Sequence, residues 1–195
     1  HSSPGVPWAG SEAPPTFMLT ARARPRMRDF ADDPPVEQRV GDALRDADAT
    51  VATAESCTGG LIGSLLTDVP GSSDYFDRSV VTYSYAAKME HVGVARETLD
   101  EHGAVSEPVA CQMARGVRDV AGTTWGVATT GIAGPTGGTE EKPVGTVFVG
   151  VAHAGEWGSG DSWAAVERYE FDGSRTEIKE QIARRALADL LDEVE

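Results

Sequence analysis

Apolar residues recur at helical spacing between Val36 and Asp46, with Val36, Val40, Ala43 and Leu44 on one face. That repeat predicts an amphipathic helix, and Asp32 and Asp33, just before Pro34 and Pro35, are its candidate caps. The period then changes. A β-like run over about residues 50–54 predicts a strand, and the apolar run from Leu61 to Leu66 predicts a helix over about 59–68. The turn signal Val69-Pro70-Gly71-Ser72-Ser73 closes that helix. A second strand is expected over about 78–83, followed by a helix or irregular segment that carries Lys88 and ends near Gly93. Arg96 to His102 reads as a short helix. Ser106 as N-cap and Pro108 in the first turn then open a longer helix to about Ala121.

Trp125 to Thr130 is a third strand, emptying into the Gly-rich loop Gly131 to Gly138. Val144 to Ala152 and Trp163 to Phe171 read as strands joined by Gly155 to Asp161, an antiparallel hairpin. Arg175 to Val194 is a long amphipathic helix with Ile178, Ile182, Ala186 and Leu190 inward, opened by Asp172 or Ser174. Strands alternating with helices, plus a hairpin, predict a three-layer α/β/α sandwich around a mixed, mostly parallel sheet. The folded domain is expected over residues 35–195. Residues 1–34 differ: a Pro/Ser/Gly-rich start precedes a basic patch at Arg22, Arg24, Arg26 and Arg28. Met27 is a candidate natural start, which makes the preceding residues a vector-derived leader or a mis-assigned start; a genuine flexible arm is the alternative reading.

Composition narrows the function. The 195 residues are 40% hydrophobic, enough for one domain with a core, and no apolar stretch approaches the ~20 residues of a membrane span. The chain carries 31 acids against 17 bases, a net charge of −14, and only three lysines, Lys88, Lys142 and Lys179. Such a surface disfavours nucleic acid, which is bound through basic residues. It suits either a halophilic cytoplasm, where salt screens self-repulsion, or an ordinary acidic bacterial protein. Cys57 and Cys111 are too few for a disulfide scaffold and suit a reducing compartment, and no Cys/His grouping has zinc spacing.

Candidate chemistry gathers where strands end. Ala54-Glu55-Ser56-Cys57-Thr58-Gly59-Gly60 joins the first strand to a helix, a turn that presents a side chain at a sheet edge and aims backbone N–H groups at an anion. Ser56 is a nucleophile candidate or merely a helix cap; Cys57 is a rival nucleophile or a small buried hydrophobe. Tyr83 and Lys88 follow the second strand. A lysine kept where the chain otherwise uses arginine suggests a task that needs proton loss, general base catalysis by Lys88, with Tyr83 as relay or donor. The same reasoning touches Lys142. The loop Thr130 to Gly138 lets backbone approach a phosphate or sugar, but it is neither a Walker loop nor a dinucleotide fingerprint.

These blocks, with Pro70-Gly71-Ser72-Ser73, Gly103-Ala104-Val105-Ser106-Glu107 and Lys142-Pro143-Val144-Gly145-Thr146-Val147, occur in one order that closely resembles the CinA C-terminal-domain family, the nicotinamide-nucleotide amidases. The resemblance covers about residues 36–192. It implies hydrolysis of the carboxamide of nicotinamide mononucleotide to nicotinic acid mononucleotide and ammonia, in pyridine nucleotide salvage, without metal or cofactor. It also implies a homo-oligomer whose partner is a small nucleotide; the cytoplasmic location and the exclusion of nucleic acid and membrane are expected from the composition. The family's serine, tyrosine and lysine fall on Ser56, Tyr83 and Lys88. Backbone N–H groups near Cys57, Thr58 and Gly59 are then oxyanion candidates. Thr58, Gly60, Thr130, Gly131, Gly134 and Lys142 are candidates for the substrate and its phosphate. Two departures stand out: Tyr85 occupies a position where members commonly carry asparagine, and residues 1–34 are too short for the nucleotide-processing domain often fused upstream, so a stand-alone form is expected. Competing readings are a non-catalytic nucleotide-binding or regulatory module and an amidase for another small amide.

Overall fold

The structure, a computed structural model, describes residues 29–195. The expectations for the basic patch and for a start at Met27 lie outside the described residues. Five strands, β1 (Val51–Glu55), β2 (Phe76–Val81), β3 (Trp125–Gly131), β4 (Thr146–His153) and β5 (Trp163–Glu170), form one sheet in the order β2-β1-β3-β4-β5. β1 pairs in parallel with β2 and β3, while β4 runs antiparallel to both β3 and β5. Only β4 therefore opposes the other four, and the expected mixed sheet with its hairpin is what forms.

Six helices cover the sheet: α1 (Val36–Asp46), α2 (Leu61–Thr67), α3 (Tyr85–Val92), α4 (Arg96–His102), α5 (Glu107–Ala121) and α6 (Arg175–Val194). Period-two alternation sorts the two faces. Val51, Val127, Val147, Val149 and Val151 pack with α1, α2 and α6, whereas Ala52, Ala54, Ala128 and Ala152 meet α5 and the segments around α3 and α4. The second face is built of small residues because α5 lies close against it. A Cβ on Gly126 would fall 2.2 Å from the Ala114 carbonyl oxygen, and one on Gly150 would fall 2.7 Å from that of Ala110. Gly126→Ala is accordingly expected to destabilise the fold by about 1–3 kcal/mol, the usual range for overpacking, read as a lowered urea midpoint at unchanged slope.

Helix ends show local physics at work. Ser174 and Glu177 form a reciprocal capping box that starts α6. At α1 the expected aspartate caps are corrected: Pro35 is the N-cap and makes no side-chain bond, since a proline lacks the donor and acceptor side chain that a cap needs. Ser106 does cap α5 by position, but its hydroxyl donates backwards to the Gly103 carbonyl at 2.8 Å. Buried Arg184 ties α6 to α1 through Glu37 at 2.8 Å and pairs within α6 with Glu180 at 2.9 Å. Among the described residues, no helix is long and apolar enough to cross a membrane.

Candidate active site

The site grows from the end of β1. The strand ladder continues past Glu55, because Ser56 N donates to Thr129 O at 3.0 Å and Thr82 N donates to Glu55 O at 2.9 Å. Alternation continues with it, so Glu55 turns to the α2 side and Ser56 to the side of α3. There Ser56 meets Lys88, which hangs from the first turns of α3. Ser84 caps that helix, accepting from Ala87 N at 3.1 Å.

The Lys88 amine is fully buried, and its Nζ donates to Ser56 Oγ at 3.0 Å, Thr82 O at 2.7 Å and Tyr83 O at 3.3 Å. Among the described residues no carboxylate pairs with it. Burial removes water from the ammonium and lowers its pKa from 10.5 to about 8. In the neutral amine, two N–H groups satisfy the two carbonyls. The lone pair is then left facing the Ser56 hydroxyl, the geometry a general base needs. Ser56 itself is nearly buried. It does not cap α2, whose N-cap is the left-handed Gly60 at φ 97°.

The cap of α2 is instead Glu55. Its fully buried carboxylate accepts from Ile62 N (2.8 Å), Gly63 N (2.9 Å), Thr58 Oγ1 (2.8 Å) and Ser79 Oγ (2.6 Å). The expectation that this helix end offers its N–H groups to an anion is thereby corrected: a carboxylate from the preceding strand already occupies it. Gly59 is likewise removed from the oxyanion candidates, since its N–H donates to Ser56 O at 3.1 Å. Among the described residues the N–H groups of Thr58 and Gly60 have no acceptor.

Cys57 packs among the core residues of the α2/α6 face, and burial pushes its thiol up to about 12. A thiol that holds its proton at neutral pH is a poor nucleophile, which favours Ser56. Cys57→Ala is expected to keep turnover at this site within about threefold of wild type, whereas a site that used the thiol as its nucleophile would lose it.

The structure places the remaining candidates on neighbouring loops but gives several a different part. The Tyr83 hydroxyl makes no hydrogen bond to Ser56 or Lys88; it is exposed and accepts from Arg175 Nη2 at 3.2 Å, so the direct relay is corrected and only the Tyr83 carbonyl touches the amine. The Thr58 hydroxyl is committed to Glu55 and lies 2.8 Å from Thr129 Oγ1. The Thr130 hydroxyl donates to Ala104 O at 2.7 Å. Neither hydroxyl is free for a phosphate. Gly131 pairs with Val147 in the sheet, Gly134 accepts from Arg175 Nη1, and Lys142 Nζ donates to Val105 O at 2.6 Å. Tyr85 begins α3, and its hydroxyl accepts from Ala104 N at 3.3 Å, tying that helix to the loop before α5. No group of three or more His, Cys, Asp or Glu side chains converges to hold a metal among the described residues.

Three residues had weaker signals in the sequence. Glu55 is masked by its place in a strand, although a carboxylate seven residues before a helix turn can fold back as a cap. Arg175 reads as an ordinary first-turn residue. Lys179 is the third member of the small lysine set, so its scarcity was the available clue; its Nζ lies 3.6 Å from where a Cβ on Gly59 would sit.

Comparison with known proteins places the chain. The model of the CinA C-terminal domain matches residues 33–194. A CinA-like protein of Salinibacter ruber is 56% identical over 155 residues, covering 80% of this chain but 36% of the relative. The chain thus spans about a third of that relative's length. The nicotinamide-nucleotide amidohydrolase PncC of Shigella flexneri is 48% identical over 155 residues, covering 80% of this chain and 90% of the relative. Among solved structures, a CinA superfamily protein from Klebsiella pneumoniae 700603 aligns with a TM-score of 0.75 at 33% identity, covering 82% of this chain and 95% of its own. The competence/damage inducible protein CihA from Agrobacterium tumefaciens gives 0.73 at 40% identity, covering 80% and 94%. With its mixed five-stranded sheet and a match over nearly all of the described residues, the chain belongs to the CinA C-terminal domain family.

Proposed function

We propose that the protein is an amidohydrolase that cleaves the carboxamide of nicotinamide mononucleotide, giving nicotinic acid mononucleotide and ammonia. The observation that carries this reading is the buried Lys88 amine at hydrogen-bond distance from Ser56, without a carboxylate partner. The similarity to the Shigella flexneri amidohydrolase supports the substrate. Lys88 takes the Ser56 proton as Oγ adds to the amide carbon. The oxyanion is held by N–H groups of the turn, with Thr58 and Gly60 the open donors. The resulting ammonium returns the proton to the amide nitrogen, the C–N bond breaks, and ammonia leaves an acyl ester on Ser56. Water, deprotonated by the same amine, hydrolyses that ester and restores both groups.

The pH dependence follows from the base. Only neutral Lys88 accepts a proton, so kcat/KM should rise with pH and level off above about 8. A profile that falls through this range would contradict the assignment. The same shift acts on stability: between about 8 and 10.5 the unfolded chain holds a proton that folded Lys88 has lost. This lysine's contribution to stability therefore rises with pH across that window.

A non-catalytic nucleotide-binding module is the second reading, and it needs no neutral amine beside Ser56. Ammonia release from nicotinamide mononucleotide by the purified protein separates the two. Steady release supports the amidase, whereas nucleotide binding without ammonia supports the module.

A further inference from the structure

Among the described residues two threonine hydroxyls, those of Thr82 and Thr146, are fully buried without a hydrogen-bond partner. Such a hydroxyl is costly to leave alone, and in folded proteins it is usually satisfied by water. Thr146 opens β4, two strands from β1. Thr82 stands next to the nucleophile.

The pairing of β1 with β2 sets Glu55 opposite Val81, so Ser56 and Thr82 are the next pair along the same ladder. Thr82 N holds that register by donating to Glu55 O. Alternation fixes the face. Ser79 bonds the Glu55 carboxylate on the α2 side, while Val80 packs with the α5 cluster. Thr82, two residues beyond Val80, therefore shares the α5 side with Ser56. Adjacent strands lie about 4.8 Å apart, a gap that one water spans with two hydrogen bonds. The Lys88 amine stands at the same place, bonded to Ser56 Oγ and to the Thr82 carbonyl.

The two halves of the reaction make different demands here. During acylation the amide nitrogen is kept beside Lys88 by its own bond to the carbonyl carbon. Once ammonia has left, a water must take that place, and only the protein can hold it. Other hydroxyls near the turn are engaged: Tyr83 with Arg175, Thr58 with Glu55 and Thr130 with Ala104 O.

We propose that Thr82 is the positioning residue for the hydrolytic water, its hydroxyl holding that water against the Lys88 amine and facing the acyl carbon on Ser56. The proposal rests on the amidase reading and assigns its second step. A hydroxyl both donates and accepts, so it can orient a water that gives its other hydrogen to Lys88. Lys88 takes that proton as the water oxygen bonds to the acyl carbon. The bond from carbon to Ser56 Oγ then breaks, and Oγ recovers the proton from the Lys88 ammonium.

The test is rapid-mixing kinetics of Thr82→Val and Thr82→Ser. Valine keeps the shape and removes the hydroxyl; serine restores it. With nicotinamide mononucleotide, Thr82→Val should release about one ammonia per site in a burst. Steady turnover should then run at least about tenfold below wild type, with an acyl adduct on the peptide that carries Ser56. With p-nitrophenyl acetate, whose good leaving group makes acylation fast, the same variant should show a nitrophenol burst and the same slow phase, after subtraction of the Ser56→Ala background. Thr82→Ser should stay within about threefold of wild type on both substrates. Wild-type turnover by Thr82→Val, slow turnover without a burst on either substrate, or a serine variant as slow as the valine variant overturns the proposal. A wild type that turns over the ester with this dependence on Thr82 but releases no ammonia overturns the amidase reading alone. A wild type that does neither overturns both.

Discussion

Lys88→Met should lower kcat for ammonia release from nicotinamide mononucleotide by about 10³-fold or more, near the upper end for loss of one acid–base group. Methionine matches the length and apolar stem of lysine but cannot accept the Ser56 proton. No imidazole is at hand to substitute: none of His91, His102 and His153 forms a hydrogen bond to Ser56 or Lys88 among the described residues. Lys88→Arg should be equally inactive although it keeps a cation, because a guanidinium does not give up its proton at working pH. This second variant decides between a base and a mere positive charge. Near-wild-type turnover by Lys88→Arg, with a cooperative thermal transition, would show that charge alone suffices and that the proton transfer assigned here is wrong.

The next largest effect is expected at Glu55, on stability as well as rate. Its carboxylate gathers donors from the turn, from α2 and from β2 in a region without water access. Glu55→Gln keeps the shape but turns an NH₂ toward either the Ile62 and Thr58 donors or the Gly63 and Ser79 donors. Each frustrated buried donor costs about 1–3 kcal/mol, so a loss of about 3 kcal/mol or more is expected by urea unfolding. The Ser56 turn is fixed by the same contacts, so kcat should fall by at least about tenfold in the fraction that stays folded, since small misplacements of a nucleophile are costly. A Glu55→Gln protein with wild-type stability and rate would mean that water or a shifted helix satisfies these amides.

Much of the fold was legible because it rests on periodicity. The inward positions Ile178, Ile182, Ala186 and Leu190 of α6 are all buried, as are Val36, Val40 and Leu44 of α1. Element ends drifted by up to two residues: β2 begins at Phe76 rather than near 78, and β1 extends to Glu55. Such ends are set by ladder bonds to neighbours, here Thr82 N to Glu55 O, which one strand's sequence does not contain. The segment around Lys88 was open between helix and irregular chain, because its eight residues have only a weak apolar stripe; the Ser84 cap and the burial of Lys88 and Val92 settle it as α3.

At the site, the sequence brought Ser56 and Lys88 into view through residue type, and the parallel pairing of β1 with β2 brings their strand ends together. It did not disclose that the threonine hydroxyls are consumed internally, because Thr58, Thr129 and Thr130 look like open donors until the strands are set side by side. Nor did it disclose Arg175. That residue lies 92 positions from Tyr83, and only the return of the chain through α6 places it across the sheet edge.

The central claim, that Ser56 activated by Lys88 cleaves the nicotinamide carboxamide, is tested most directly by measuring ammonia released from nicotinamide mononucleotide at pH 8.5 by wild type and Ser56→Ala side by side. The account predicts steady ammonia and nicotinic acid mononucleotide in equal amounts from wild type, and at least about 10³-fold slower release from the variant. Equal rates from the two proteins, or no ammonia from a folded wild type, would contradict it.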